Sequence, residues 1–516
     1  MTAGTLPGRA IFGSAVAMGL AGDLLLRAPG GAGLNLLLLF VGLSVSILVV
    51  RRGAARPTSD EESAWLAVGL LFATGLVWRG SPTLRLLSFL AAAGAFAIPA
   101  LYAGRPWVRR AGVGDLIEAI GGAGLHTALG GVRLVGLARP GKTAPNRGGR
   151  RWRWLRTAFG GITLAALPII VFGALFASAD PIFAELVSDL FHLDLDALWS
   201  HLIPIAALSW LTAGYLSGSL TGTNVPELRR LRPTRLGVEG LQVVTAVALV
   251  DLVFLGFVVI QFRFLFAGAE FVEVTDGLTY AQYAREGFFQ LTVATGLALP
   301  WLLLADWLVL GAARRERSLF IGLAGCQLLL LLAVAASALR RMGAYQAAYG
   351  LTESRLFATA ILFWLIFVLL WFATTALRGR RDRFAFGALI SGFVLVAGLQ
   401  FMNPDAFIVR SNLSHSGRPS AVGPSSTGDP SSSGLIDIAY LSSLGSDAVP
   451  ALLESLSDLP EASRCAVARR LLRRWGPGTQ SDWRSWNWSR WRAQAAVQTE
   501  AIELLELAPS GATCPG

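Results

Sequence analysis

Two aspartates interrupt long apolar runs and are the residues best placed to do chemistry. Asp251 lies in AVALVDLVFLG and Asp306 in LPWLLLADWLVL. A carboxylate in hydrocarbon costs several kcal/mol unless it is paired or wet, so an intramembrane acid is a starting point for proton or cation relay. The alternative is that each is satisfied by a hydroxyl, an arginine or water inside a helical bundle. On antiparallel neighbours the two would differ in depth by about 6 to 9 Å at about 1.5 Å per residue. A second cluster follows Arg263 and fills GLTYAQYAREGFFQL, residues 277–291, with Tyr280, Tyr283, Arg285, Glu286 and Gln290. Tyr283, Glu286 and Gln290 share a helical face. That pattern suits an interfacial anchor or an outward-facing ligand or ion site.

Other motifs carry less. GLARPGKT, residues 136–143, matches a phosphate-binding loop by letter, but Pro145, Gly148 and Gly149 follow where a helix N-terminus would have to cradle the phosphate. His192, Asp194, Asp196 and His201 offer metal-ligand types, yet they fall in an acidic stretch that solvation explains, and no metal site is expected. No nucleophile elbow, zincin or kinase set occurs, so the chain has no catalytic residues to assign, no cofactor is expected, and an enzyme reading lacks support. Near the C-terminus DWRSWNWSRWR interleaves Trp483, Trp486, Trp488 and Trp491 with arginines. Such a face can fill a domain core, sit among headgroups or stack on a glycan.

The elements that would position these residues are set by hydrophobicity. The 516 residues are 54% hydrophobic and 15% charged, with a mean hydropathy of +0.56, and apolar runs of spanning length recur between residues 10 and 402. We expect an all-α polytopic membrane protein with about eleven transmembrane helices and a small helical extracytoplasmic C-terminal domain. The spans are 10–26, 33–50, 63–78, 84–103, 157–178, 199–220, 238–265, 289–311, 319–338, 355–377 and 385–402, with the first and third short. The first four helices occupy 1–104. A basic cytoplasmic loop with an amphipathic helix occupies 105–156, and helices five to eleven occupy 157–410. A Ser/Pro/Gly linker covers 411–434, and the small domain covers 435–516.

The net charge of +11 sits in arginine clusters between spans, which argues for membrane orientation and against nucleic acid. With the N-terminus inside, 26 basic residues fall in inner segments and 7 in outer loops or the first turns of the spans that they lead into. The odd span count then puts the tail outside. Anionic lipid headgroups at the inner basic loop are the expected partners, with an envelope protein or glycan at the C-terminal domain. Cys465 and Cys514 lie in that domain, where an outer location would permit a disulfide. Lys142 is the single lysine, and the Ala, Gly and Arg bias is that of a GC-rich bacterium, placing the chain in a cytoplasmic membrane.

LFASADPIFAEL (175–186), VIQFRFLFAG (259–268), GLTYAQYAREGFFQL (277–291) and MNPDAFIVRSNL (402–413) resemble the bacterial membrane family called domain of unknown function 4173, in the 4153-like group. The resemblance covers most of 150–415. Family members more often carry an acid where Gln290 stands and a base where Glu286 stands. The resemblance implies a membrane fold and transfers no activity. Three roles stay open: a sensory or scaffolding envelope protein, a proton- or cation-coupled transporter or channel, and a membrane-embedded enzyme acting on lipid-linked substrates.

Overall fold

The computed structural model describes residues 6–55, 58–101, 195–221, 239–266, 280–415, 438–477 and 482–509, with a few isolated positions between 112 and 128 and at 514. Every extended element among them is helical: α1 (Leu6–Leu26), α2 (Leu34–Gly53), α3 (Asp60–Trp78), α4 (Pro82–Leu101), α5 (Leu195–Thr221), α6 (Gly240–Phe266), α7 (Tyr280–Leu308), α8 (Arg314–Tyr349), α9 (Glu353–Thr374) and α10 (Arg381–Met402). The C-terminal region adds α11 (Pro404–His415), α12 (Ile438–Leu441), α13 (Val449–Glu454), α14 (Glu461–Trp475), α15 (Trp488–Thr499) and α16 (Ala501–Leu507). Eight of these, α1, α2 and α5 to α10, are long and apolar enough to cross a membrane, and α4 holds a shorter apolar stretch, Pro82–Ile98. The count among described residues is therefore eight, below the eleven expected. In α3 three acids fill the first turn, leaving a short apolar remainder, and the run 157–178 lies outside the described residues.

The chain divides into two compact units. One comprises Met1–Arg27, Gly42–Thr58 and Gly124–Leu220. In it α1 packs closely on α5: a side chain at Gly19 would meet Ser209, and one at Gly22 would meet Leu208. Asp23 takes a 2.6 Å bond from Arg27 and lies 2.5 Å from His201 Nδ1.

The second unit comprises Ala28–Val41, Ser59–Ala123 and Thr221–Gly516. The helix α3 starts on a capping box, Ser59 Oγ accepting from the Glu62 amide and Glu62 accepting from the Ser59 amide. It forms a tight hairpin with α4, in which Gly69 leaves room for Phe96 and Gly75 for Ser88 and Gln400. A core of Val247, Leu302, Phe320, Leu331, Phe372 and Phe384 binds α6 to α10 together. Their outward faces carry exposed Leu252, Val253, Leu329 and Val394, as lipid-facing surfaces do. The 36-residue α8 is about 54 Å long at 1.5 Å per residue, so it extends well past a hydrocarbon core of about 30 Å.

The C-terminal helices have their own core of Val449, Leu456, Val467, Ala468, Leu471, Ala493, Val497 and Leu504, closed by a disulfide between Cys465 and Cys514. After Asp482 comes a one-turn 3-10 segment, Trp483–Ser485, followed by α15, capped by Asn487, and then α16. The tryptophans do not fill the core. Ser489, Ala493 and Val497 form the buried stripe of α15, which turns Trp488 and Trp491 outward, and Trp483 is exposed as well. Trp488 and Trp491 instead pack on each other at 5.0 Å between centroids.

Candidate functional site

The second unit gathers its charged groups where the C-terminal region docks on one end of the helices. The connection between α3 and α4 is only Arg79, Gly80 and Ser81, and each residue is held. Arg79 is 8% exposed, donates Nε to the Gln400 carbonyl at 2.7 Å, reaches Asp447 at 3.4 Å and lies 4.4 Å over the Trp78 ring. The Gly80 amide donates to the other Asp447 oxygen, and Ser81 Oγ donates to Glu353 at 2.7 Å. Tyr440 Oη accepts from the Glu353 amide at 2.7 Å. From α15, Asn487 donates to the carbonyls of Leu76 (3.1 Å) and Arg79 (2.9 Å), and Arg490 clamps the carbonyls of Gly30 and Ala32. The Leu34 amide donates to the Trp486 carbonyl at 2.9 Å. The tail thus supplies acceptors and donors to helix ends that would otherwise leave backbone groups unmet.

At the centre sits Asp405, 1% exposed, with neither carboxylate oxygen in a hydrogen bond of ordinary geometry among the described residues. Local sequence dictates its place: Asn403 closes α10 in the left-handed conformation at φ 55°, and Pro404 opens α11, so the next side chain is turned back into the bundle end. Burial, then the charges of Asp447 and Glu353, push its pKa up to about 7, against smaller opposing effects of the Gly445 amide and Arg79. Gly445 is obligatory beside it, since a side chain there would come 2.4 Å from Asp405 Oδ2. Farther along α11, Asn412 locks the turn before α9, exchanging bonds of 2.6 and 2.8 Å with the Leu351 amide and carbonyl.

The two intramembrane acids have different surroundings. Asp306 is paired with Arg381 at the start of α10, with contacts of 2.5 and 2.6 Å. Asp251 is 6% exposed and has no hydrogen-bond partner among the described residues. Its level is shared with Gln327, which is fully buried and equally without a partner among the described residues. Gly240 abuts Glu316, and Asp251 and Gln327 each lie eleven residues beyond them on α6 and α8. The structure therefore brings Asp306 to an arginine and Asp251 to the depth of a glutamine. In the tyrosine-rich cluster Gln290 is exposed; Arg263 falls in the last turn of α6, and Tyr280, Tyr283 and Arg285 in the first turns of α7, with their side chains outside the described residues. The 136–143 loop, His192 and Asp194 also lie outside them, and no group of three metal-ligating side chains occurs among the described residues.

A family model matches residues 66–455. The chain belongs to the family Domain of unknown function (DUF4153). No curated protein and no solved structure matches it. The matched segment holds Arg79, Glu353, Asp405, Tyr440 and Asp447 and ends before Arg474, Asn487 and Arg490. Sequence reading passed over Asp405 although it stands inside MNPDAFIVRSNL, because an acid after Asn-Pro reads as a helix-start residue. Arg79 did carry a signal, as a basic residue in a connection that the charge bias leads one to expect on the outer side, and Arg85 follows in the first turn of α4.

Proposed function

We propose that this integral membrane protein is a sensory or scaffolding component of the bacterial cell envelope, whose outer C-terminal helices are docked on the bundle and report to it. The observation that carries this reading is the set of bonds from Asp447, Asn487 and Arg490 to the ends of α2, α3 and α4. A tail joined by so many buried bonds cannot rearrange without altering those helix ends.

The outer placement rests on three supports. Basic residues favour the other side, 26 against 7. The Cys465–Cys514 disulfide suits an oxidising compartment. Eleven crossings would place the connections before α2, α4 and α9 on the same side as the tail, and the tail contacts all three.

The test is hydrogen exchange on the full chain in nanodiscs. Asn487→Ala should raise exchange in α15 and also at the ends of α3, α4 and α10. A change confined to α15 would make the tail a passive appendage and overturn the sensory reading. Deleting 416–516 should likewise abolish recovery of any envelope partner by cross-linking in cells while leaving the bundle inserted.

Asp251 favours a second reading, transport of protons or cations, because a buried acid without a partner among the described residues, at the depth of Gln327, suits a relay. Proteoliposomes should then show a proton flux that Asp251→Asn abolishes, and an unchanged flux would remove this acid from the function.

A further inference from the structure

The docked end encloses a cavity of about 280 Å³. That is room for roughly nine waters at about 30 Å³ each. Its charged lining is Arg85, Arg474 and Arg490 against a single carboxylate, Glu353. Among the described residues none of the three arginines forms an ion pair; backbone carbonyls hold them instead. Arg85 donates to Ala32 at 3.0 Å, Arg474 to Leu444 at 2.9 Å and Ser443 at 3.2 Å, and Arg490 to Gly30, Ala32 and Ser485. A guanidinium has five N–H donors, so most of those on Arg85 find no acceptor among the described residues. The Nε atoms of Arg85 and Arg490 are buried without an acceptor among the described residues. Burial, and then repulsion from Arg85, lower the pKa of Arg490, so these two cations oppose each other across the cavity, with Asp447 acting on Arg85 as a partial counter-charge.

Three guanidinium groups assembled in a half-closed space against one lining carboxylate call for an anion. Three planar forks suit an anion with several oxygens to share, as a phosphate has. An excess of positive charge disfavours a metal cation, and a neutral sugar would leave the repulsion unrelieved. We propose that this cavity binds a phosphate group, carried either by a lipid headgroup at the membrane surface or by a free anion. The proposal deepens the sensory reading by naming the ligand class that would tighten the docked tail, and it depends on that reading for its role.

The test uses the full chain. Inorganic phosphate is titrated calorimetrically in detergent, and phosphatidic acid is compared with phosphatidylcholine in nanodiscs. Binding to phosphate or to phosphatidic acid is expected, weakened at least tenfold by Arg85→Gln and by Arg490→Gln. The arm that responds identifies the source. Because Arg490 also holds the tail in place, the unsubstituted protein provides a second readout: the bound probe should protect Arg85 and Arg490 from phenylglyoxal, read by mass spectrometry. Binding to neither probe, or binding without protection and without loss in the variants, overturns the site. A tail that stays docked but binds no phosphate overturns this site alone, whereas a tail that does not dock overturns the sensory reading with it.

Discussion

Replacing Asp405 by asparagine separates the cost of a buried charge from the shape of the site. The carboxyl is 1% exposed and its pKa is about 7, against 3.8 for the free group. A raised acid binds its proton more tightly in the native state, so native stability falls as pH rises from about 4 to about 7 and levels off above that. Each unit is worth about 1.4 kcal/mol. Between pH 5 and pH 8 the docked tail should therefore lose about 3 kcal/mol, the slope acting over the two units below the native midpoint. The charged neighbours Asp447, Glu353, Arg79 and Arg474 all face this carboxyl and remain in the variant. Asp405→Asn keeps the shape and removes the titration, so its stability should be level across the same range and higher than that of the unsubstituted chain at pH 8. Hydrogen exchange of residues 438–509 in nanodiscs at pH 5, 6.5 and 8 measures both. A flat profile in the unsubstituted chain, or an unchanged slope in Asp405→Asn, would refute the assignment of this acid as the pH-dependent group.

Other outcomes follow from the same geometry. Reducing the Cys465–Cys514 bridge, which spans 49 residues, should destabilise the C-terminal helices by about 4 kcal/mol, seen as a lowered melting transition with dithiothreitol. Arg381→Ala strands Asp306 in the bundle and should cost about 3 kcal/mol in detergent unfolding, while Arg381→Ala with Asp306→Leu should recover much of it. Gly445→Ala drives a methyl group against Asp405 Oδ2 and should expose the tail to limited proteolysis, with α6 to α9 unaffected.

How far the sequence foretold the structure depends on the signal that each part carries. Apolar runs located α2, α6, α9 and α10 well, because hydrocarbon thickness fixes their length. They missed the extension of α8 to Tyr349, since nothing in an apolar count says that a helix continues past Arg340 and Arg341 into water. The tail was legible as helical but not in its detail. Asn487 was not read as a cap, and the tryptophan face left core packing, headgroups and glycan open, whereas Ser489, Ala493 and Val497 form the buried stripe. Asp306 and Asp251 look alike in sequence; only Arg381, 75 residues away, separates them. The docked charge cluster joins Gly30, Arg79, Glu353, Asp405, Asp447 and Arg490, a long-range assembly that no local pattern encodes.

The C-terminal region is held on one end of the bundle by buried bonds, and we propose that this end faces outward. The direct measurement is to place a specific protease site in the Ser/Pro/Gly stretch near residue 425, cleave right-side-out vesicles from outside, and ask whether residues 438–516 remain on the membrane after washing. We predict cleavage without permeabilisation and retention of the fragment, with release when Asp447→Ala and Asn487→Ala are combined. Cleavage only after permeabilisation, or loss of the fragment from the unsubstituted protein, would contradict it.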